Sequence, residues 1–324
     1  MPTGSRPLKR SYLISTFFVL MVPVVLGCGG ESAEEPAETP AAETQQPAVT
    51  DPAAVAPDTT AEPSETPSAE TSSIRTEEEL KAALKAKNPG FAGDAAAGVD
   101  DRGIFAVEIH DPGVEDISPL AGLPLQGVDL SRSHVSDLSP LKGAPLTMLY
   151  LEETGVKDIS PLEGMPLVSL YLTNTQVSDL SPLKGLQTKM KELNLIGTEV
   201  SDLSPLEGLD IEMIWLSECP ISDISPLQNV RTVSLTLADT EVSDLSPLKG
   251  HPTLQRLHIA RTAVTDLSPL QWMNLTRLVF TPNRIKTGIE YARAMTSITE
   301  IGTEFDRRLP PAQFWPQYDA GQFK

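Results

Sequence analysis

The sequence predicts an α/β solenoid: short strands lie side by side in one parallel sheet, each followed by a tight turn and a return, with helical caps at both ends. Three observations carry this. Asp-(Ile/Leu)-Ser-Pro-Leu occurs eight times, starting at Asp116, Asp137, Asp158, Asp179, Asp202, Asp223, Asp244 and Asp266. Successive copies are 21 to 23 residues apart, which is too short for two helices but suits one strand, one turn and a compact return. Ahead of each Asp, apolar residues alternate with period two, so those side chains share one strand face.

The chain opens on a leader, residues 1–28. Arg6, Lys9 and Arg10 precede an apolar run from Tyr12 to Leu26, the pattern of a secretory signal and too short to span a bilayer comfortably. Val25-Leu26-Gly27-Cys28 resembles a bacterial lipobox. That resemblance implies lipidation at Cys28, secretion across the inner membrane and a membrane anchor. Gly29 follows with no Asp, similar to signals that sort to the outer membrane of a Gram-negative-type envelope.

Residues 29–75 form an acidic Pro/Ala/Glu/Thr linker. Its stretch from Gly29 to Ser73 holds ten Asp or Glu, seven Pro and no Lys or Arg. Such a composition cannot bury enough apolar area to offset chain entropy, so disorder and a tethering role are expected.

Residues 76–103 are expected to cap the first repeat. Thr76 and Glu79 have capping-box spacing and open a helix through Lys87, with Leu80, Ala83 and Leu84 on one face. Asn88-Pro89-Gly90 ends it, Phe91 packs beneath, and Ile104, Val107 and Ile109 begin the first strand.

Residues 104–285 hold the repeats. Their frame reads Leu146, Leu149, Leu151, Thr154, Val156, then Leu167, Leu170, Leu172, Thr175, Val177. A lone strand cannot bury such a face, but stacked copies cover one another and make a continuous core. In Ser-Pro-Leu, serine is expected to accept an early amide of a 3₁₀ turn, with proline at the first turn position. The column Ser133, Thr154, Thr175, Thr198, Cys219, Thr240 and Thr262 should turn inward to satisfy backbone groups, with Asn283 in that place in the last copy. The longest interval, around Gln187-Thr188-Lys189, should bulge on the rim.

This frame resembles the leucine-rich repeat family, and Asp-Leu-Ser-Pro-Leu is most similar to the short internalin-like bacterial repeats. The resemblance covers roughly residues 100 to 285. It implies a horseshoe whose parallel sheet lines the concave face, with irregular turns on the convex side. Two departures are Thr in place of the usual Asn at the bend and, in most copies, a repeat one residue shorter than the common length; one copy also has Thr232 where the first Leu belongs.

Residues 286–324 should close the other end. Ile289, Ala292, Met295 and Ile298 have the spacing of a helix. The tail from Leu309 to Trp315, with Tyr318 and Phe323, is expected to cover the open edge of the stack. A peptide motif for a partner is the alternative there.

The net charge is −19 over 324 residues, and most of it outside the leader is shared between linker and repeats. An acidic folded region argues against nucleic acid and anionic headgroups as partners. Besides Cys28 the only cysteine is Cys219, so no disulfide is expected within one mature chain. A monomer is expected.

On the concave face implied by the resemblance, the middle column reads Glu108, Asp129, Tyr150, Tyr171, Asn194, Trp215, Thr236, His258 and Val279. Tyr150 and Tyr171 fall on adjacent strands, and Trp215 lies two strands further on. Met148 and Met213 flank them in the preceding column. Aromatics on a rigid sheet have wide apolar area, few rotors and a polar tip, which is the chemistry of binding hot spots. The expected ligand-binding residues are therefore Tyr150, Tyr171, Trp215, Met148, Met213, Asn194 and His258. The favoured partner is a protein or peptide. A glycan or cell-wall polymer is the alternative, since sugar faces also stack on Tyr and Trp. The column is graded in charge, from Glu108, Asp129 and Glu152 to Arg256, His258 and Arg277.

No catalytic site, metal site or cofactor is expected. His110, His134, His251 and His258 are scattered without metal-ligand spacing. No glycine-rich phosphate loop or nucleophile elbow appears. The eight Asp residues lack the oxygen-rich loop of calcium sites, and turn stabilisation accounts for them more simply.

Overall fold

The structure, a computed structural model, describes residues 74–323. The expected leader, the Cys28 anchor and nearly all of the linker lie outside the described residues. Among the described residues, twelve strands form one sheet in simple chain order. β1 (Ala95–Asp100) pairs antiparallel with β2 (Gly103–Ile109). Pairing is then parallel through β3 (Gly127–Asp129), β4 (Met148–Tyr150), β5 (Ser169–Tyr171) and β6 (Met190–Asn194). It continues through β7 (Ile211–Trp215), β8 (Ser234–Thr236), β9 (Arg256–Ile259) and β10 (Arg277–Phe280) to β11 (Glu300–Glu304). β12 (Arg307–Leu309) turns back antiparallel on β11. This is the leucine-rich-repeat solenoid that the period predicts.

The core is a ladder of like residues. Leu149, Leu170, Leu193, Ile214, Leu235, Leu257 and Leu278 are register partners on successive strands. Each is 1% exposed or less, and full burial of such a side chain stabilises by about 1.5–3 kcal/mol. Thr232, standing where the frame has leucine, is buried and directs its hydroxyl to the Glu212 and Ser234 carbonyls, each at 3.2 Å.

Each copy of Ser-Pro-Leu forms a 3₁₀ turn, from Ser118–Leu120 to Ser268–Leu270. Its capping differs from the sequence expectation. Serine is the first residue of the turn and proline the second, and the acceptor comes from the Asp two residues before serine. Asp179 accepts the Ser181 amide on Oδ1 at 2.7 Å and the Ser181 hydroxyl on Oδ2 at 2.8 Å. The same pair of bonds recurs at Asp137, Asp158, Asp202, Asp223 and Asp244. In a three-residue turn the orphan amide is serine's own, and an Asp two residues upstream is within reach of it.

The inward column closes the bend after each strand. The hydroxyls of Ser133, Thr154, Thr175, Thr198, Thr240 and Thr262 donate to the carbonyl three residues earlier at 2.6–2.8 Å. Cys219 is buried in that column, and its thiol donates to the Leu195 carbonyl of the preceding repeat at 2.9 Å. Asn283 does not join it, lying exposed within the turn Pro282–Arg284. Pro282 starts that turn at the point where the other copies bend inward. The Gln187-Thr188-Lys189 segment bends at Thr188 ahead of β6, tied by the Thr188 hydroxyl to the Leu167 carbonyl at 2.8 Å.

Both ends are covered. α1 (Glu77–Lys87) has both arms of the Thr76–Glu79 capping box and buries Leu80 and Leu84. Asn88 Oδ1 accepts the Glu115 and Asp116 amides, each at 2.9 Å, fastening this helix to the first repeat. β1 covers the edge that β2 would otherwise expose. At the far end α2 (Ile289–Ala294) is shorter than the spacing suggests; Met295 caps it and Ile298 is buried beyond it. α3 (Pro311–Asp319) inserts Phe314, fully buried, with ring centroids 6.0 Å from Phe280 and 4.8 Å from Phe323.

Candidate functional site: the concave face

Between the core leucines, the strands present two columns to the concave side. The middle column is continuous in register from Glu108 through Asp129, Tyr150, Tyr171, Asn194, Trp215, Thr236 and His258 to Val279. The preceding column includes Met148, Ser169, Glu192, Met213, Ser234, Arg256 and Arg277.

Tyr150, Tyr171 and Trp215 form one strip of rings, all half-buried. Tyr150 and Tyr171 stack with centroids 4.8 Å apart and planes 25° apart. Tyr171 and Trp215 lean together to 6.2 Å across the intervening strand. Asn194 pairs with both in the sheet and lies beneath them, 9% exposed, its Oδ1 accepting the Ile196 amide at 3.1 Å.

The column is therefore less open than its position in the repeat suggests. Of the seven expected contact residues, Tyr150, Tyr171, Trp215 and Met213 are partly exposed, whereas Met148, Asn194 and His258 are buried, at 7%, 9% and 8% exposure. Three different neighbours are responsible. Met148 packs against Ala106, Phe105 and Tyr150, Asn194 lies under the ring strip, and His258 sits beneath Phe305 with ring centroids 6.2 Å apart. Phe305 lies between β11 and β12, and no repeat pattern marks that hairpin. Glu192 was legible from the same column as Met148 and Met213; Phe305, Asp239 and Arg261 were not.

The face is electrically divided. Glu192 accepts the Ser169 hydroxyl at 3.0 Å. Burial pushes the Tyr150 phenol up to about 12, reinforced by Glu192, Asp129 and Glu152. Tyr171 is raised by burial and by Glu192. Burial also raises Glu152, against the opposing Thr173 hydroxyl bond at 3.1 Å. His110 lies 2.8 Å from Asp129 and is raised by that hydrogen bond. For Asp129 burial is the largest single influence and raises it, but bonds from His110 and Ser131 together carry it below the ordinary range.

The other end is basic and internally paired. Arg261 holds Asp239 through two bonds of 2.6 Å and also bonds Glu304. Arg277 pairs with Glu300, and the Arg308 guanidinium lies 4.5 Å from the Phe305 ring centre. Burial, with Arg261 adding to it, lowers His258 to about 4.

Among the described residues, no group of three or more His, Cys, Asp or Glu is placed to hold a metal ion. None of the described helices is long and apolar enough to cross a membrane. An open face with rings at its centre and charge at its ends can grip an extended surface.

No protein-family model matches the sequence, and no curated protein matches it. Solved structures do. An internalin C2 from Listeria monocytogenes is 30% identical with a TM-score of 0.53, the match covering 62% of this chain and 92% of that one. A second internalin from the same organism is 26% identical, with a TM-score of 0.44 and coverages of 58% and 70%. A leucine-rich-repeat protein of Leptospira interrogans is 19% identical, with a TM-score of 0.41 and coverages of 60% and 58%. With its repeat frame, its parallel sheet and the near-complete span of the Listeria internalin C2, this chain belongs to the internalin-like bacterial leucine-rich-repeat proteins.

Proposed function

We propose that this protein is a non-catalytic recognition module that binds a protein or peptide partner on its concave face, over Tyr150, Tyr171 and Trp215. The observation that carries the reading is the continuous strip of those three rings, half-exposed on a sheet whose backbone is held on both sides. Rings fixed in this way lose little side-chain entropy on binding and offer apolar area with polar edges. The carboxylates Asp129, Glu152 and Glu192 around Tyr150 and Tyr171 orient a partner with positive charge at that end, whereas the guanidiniums at the other end are already paired with Asp239, Glu300 and Glu304.

We further propose that Cys28 is lipidated and that the acidic linker holds the solenoid away from an outer membrane. The support is the basic leader, the short apolar run and the Leu26-Gly27-Cys28 motif. Palmitate labelling of the full chain and of Cys28→Ser tests the anchor; label retained by the variant would exclude it.

Paired capture from an envelope extract tests the concave face. The baits are the protein and its Tyr150→Ala/Tyr171→Ala/Trp215→Ala variant, with circular dichroism confirming that both are folded. A partner retained only by the unmutated bait supports the site. Equal capture by both baits rejects the ring strip, and retention of cell-wall polymer in place of protein rejects the partner class.

A further inference from the structure

We infer that the concave face carries a distinct pocket at its C-terminal end, between Trp215 and Phe305, that takes an aromatic side chain with one hydrogen-bonding tip, as in a tyrosine of the bound partner. The inference rests on the concave-face reading and deepens it.

The starting observation is His258. It is 8% exposed, and neither of its ring nitrogens has a hydrogen-bond partner among the described residues. Its depressed pKa keeps the ring neutral at physiological pH, so it offers one donor and one acceptor. Leaving such groups buried and unpaired is unfavourable, and a buried polar group normally has a partner. His258 lines a cleft of about 300 Å³ together with Trp215, Ile196, Ala238 and Phe305.

Spacing sets what fits. Trp215, Thr236 and His258 are register partners on β7, β8 and β9. Two strand spacings are roughly 9.6 Å. A flat ring with a neighbour on each side needs about 7 Å, two contacts of roughly 3.5 Å. That distance leaves room for a ring over Thr236, between the indole, which leans toward Tyr171, and the Phe305–His258 stack, whose rings are 28° from parallel.

Chemistry narrows the occupant further. The Arg261 guanidinium at the rim is already engaged by Asp239 and Glu304, which favours a neutral group. Most of the exposed lining is apolar, although Ser217, Glu218, Thr236, Asp239 and Arg261 also belong to it, and His258 is the buried polar group left without a partner. A pyranose carries hydroxyls on every edge and would leave unpaired those that face Trp215, Ile196, Ala238 and Phe305. A phenol has an apolar body and a single hydroxyl that can donate or accept, matching either tautomer of His258.

The test uses p-cresol, toluene and methyl β-glucoside as probes on the purified protein, read by the His258 ring-nitrogen resonances and Trp215 fluorescence. Saturable p-cresol binding at least tenfold tighter than toluene, with a shift at His258, is the expected result. His258→Phe should remove that preference while toluene still binds, and Phe305→Ala, altering an exposed hairpin residue, should weaken both probes. Equal affinity for p-cresol and toluene, tighter binding of the glucoside, or no saturable binding overturns the pocket. The Tyr150→Ala/Tyr171→Ala protein separates the two readings. It should keep p-cresol binding and lose partner capture, so either proposal can fail while the other stands.

Discussion

The eighth turn of the solenoid closes on a tryptophan where six others close on glycine. Gly122, Gly143, Gly164, Gly185, Gly208 and Gly250 have φ between 67° and 79°, and Trp272 has φ 71°. Left-handed backbone costs an L-residue about 1–2 kcal/mol. The Trp272 side chain recovers little of this, being 85% exposed. Replacing it by glycine and, separately, by alanine removes the same indole, so the difference between the two variants isolates the backbone. Glycine escapes the left-handed cost but loses roughly 0.5–1 kcal/mol through its greater freedom in the unfolded chain. Trp272→Gly should therefore be more stable than Trp272→Ala by about 0.5–1 kcal/mol, reversing the order seen at ordinary positions. Gly143→Ala is the companion, since a Cβ there meets nothing within 4 Å and any loss reports conformation alone. Urea unfolding followed by circular dichroism measures all three, with midpoints moving and slopes unchanged. An alanine variant at least as stable as the glycine variant would show the turn leaving the left-handed region and refute the reasoning.

Other measurements probe the core and the two ends of the concave face. Leu170→Ala, at a fully buried position, should cost about 2–5 kcal/mol in the same unfolding assay; a loss below 1 kcal/mol would mean the ladder collapses around the gap. The His110 pKa, followed by NMR, should lie above its ordinary value and fall in Asp129→Asn, because Asp129 stabilises the imidazolium. The stabilisation from that raised His110 pKa is full below the ordinary histidine range and is lost as pH rises through the folded value. His258 should behave oppositely, staying neutral down to about pH 4. Since only the unfolded chain then binds the proton, stability should fall as pH drops from the ordinary value toward 4, by up to roughly 3 kcal/mol. His258→Phe should flatten that part of the profile, and an unchanged profile would place the acid sensitivity elsewhere.

Much of the architecture was legible because the repeats make local and global preferences agree. The Leu149 and Leu170 positions recur at a fixed interval, and only stacking in register buries them. The Asp column was readable as turn chemistry, although its partner was not; the length of the 3₁₀ turn made serine's own amide the group in need. Three strands lie outside the sequence expectation, β1, β11 and β12. β1 is built from Ala95, Ala96, Ala97 and Gly98, with almost no strand signal, and exists because β2 offers it an edge. β12 contains Arg307 and Arg308 and is held by β11. Of the candidate site, the period put Tyr150, Tyr171 and Trp215 in one column and the family resemblance implied its concave side, but neither foretold the burial of Met148, Asn194 and His258.

The sequence alone determined the repeat unit, the parallel order of the strands and which side chains share a column. These follow from spacing and period two, which act along the chain. Tertiary structure decided how open those columns are. The lean of Tyr171 and Trp215 over Asn194, and the fold of the β11–β12 hairpin that brings Phe305 onto His258, join residues separated by 44 and 47 positions. Contacts at such distances depend on ring size, sheet spacing and the path of the closing segment, and none of these is written in a periodic pattern.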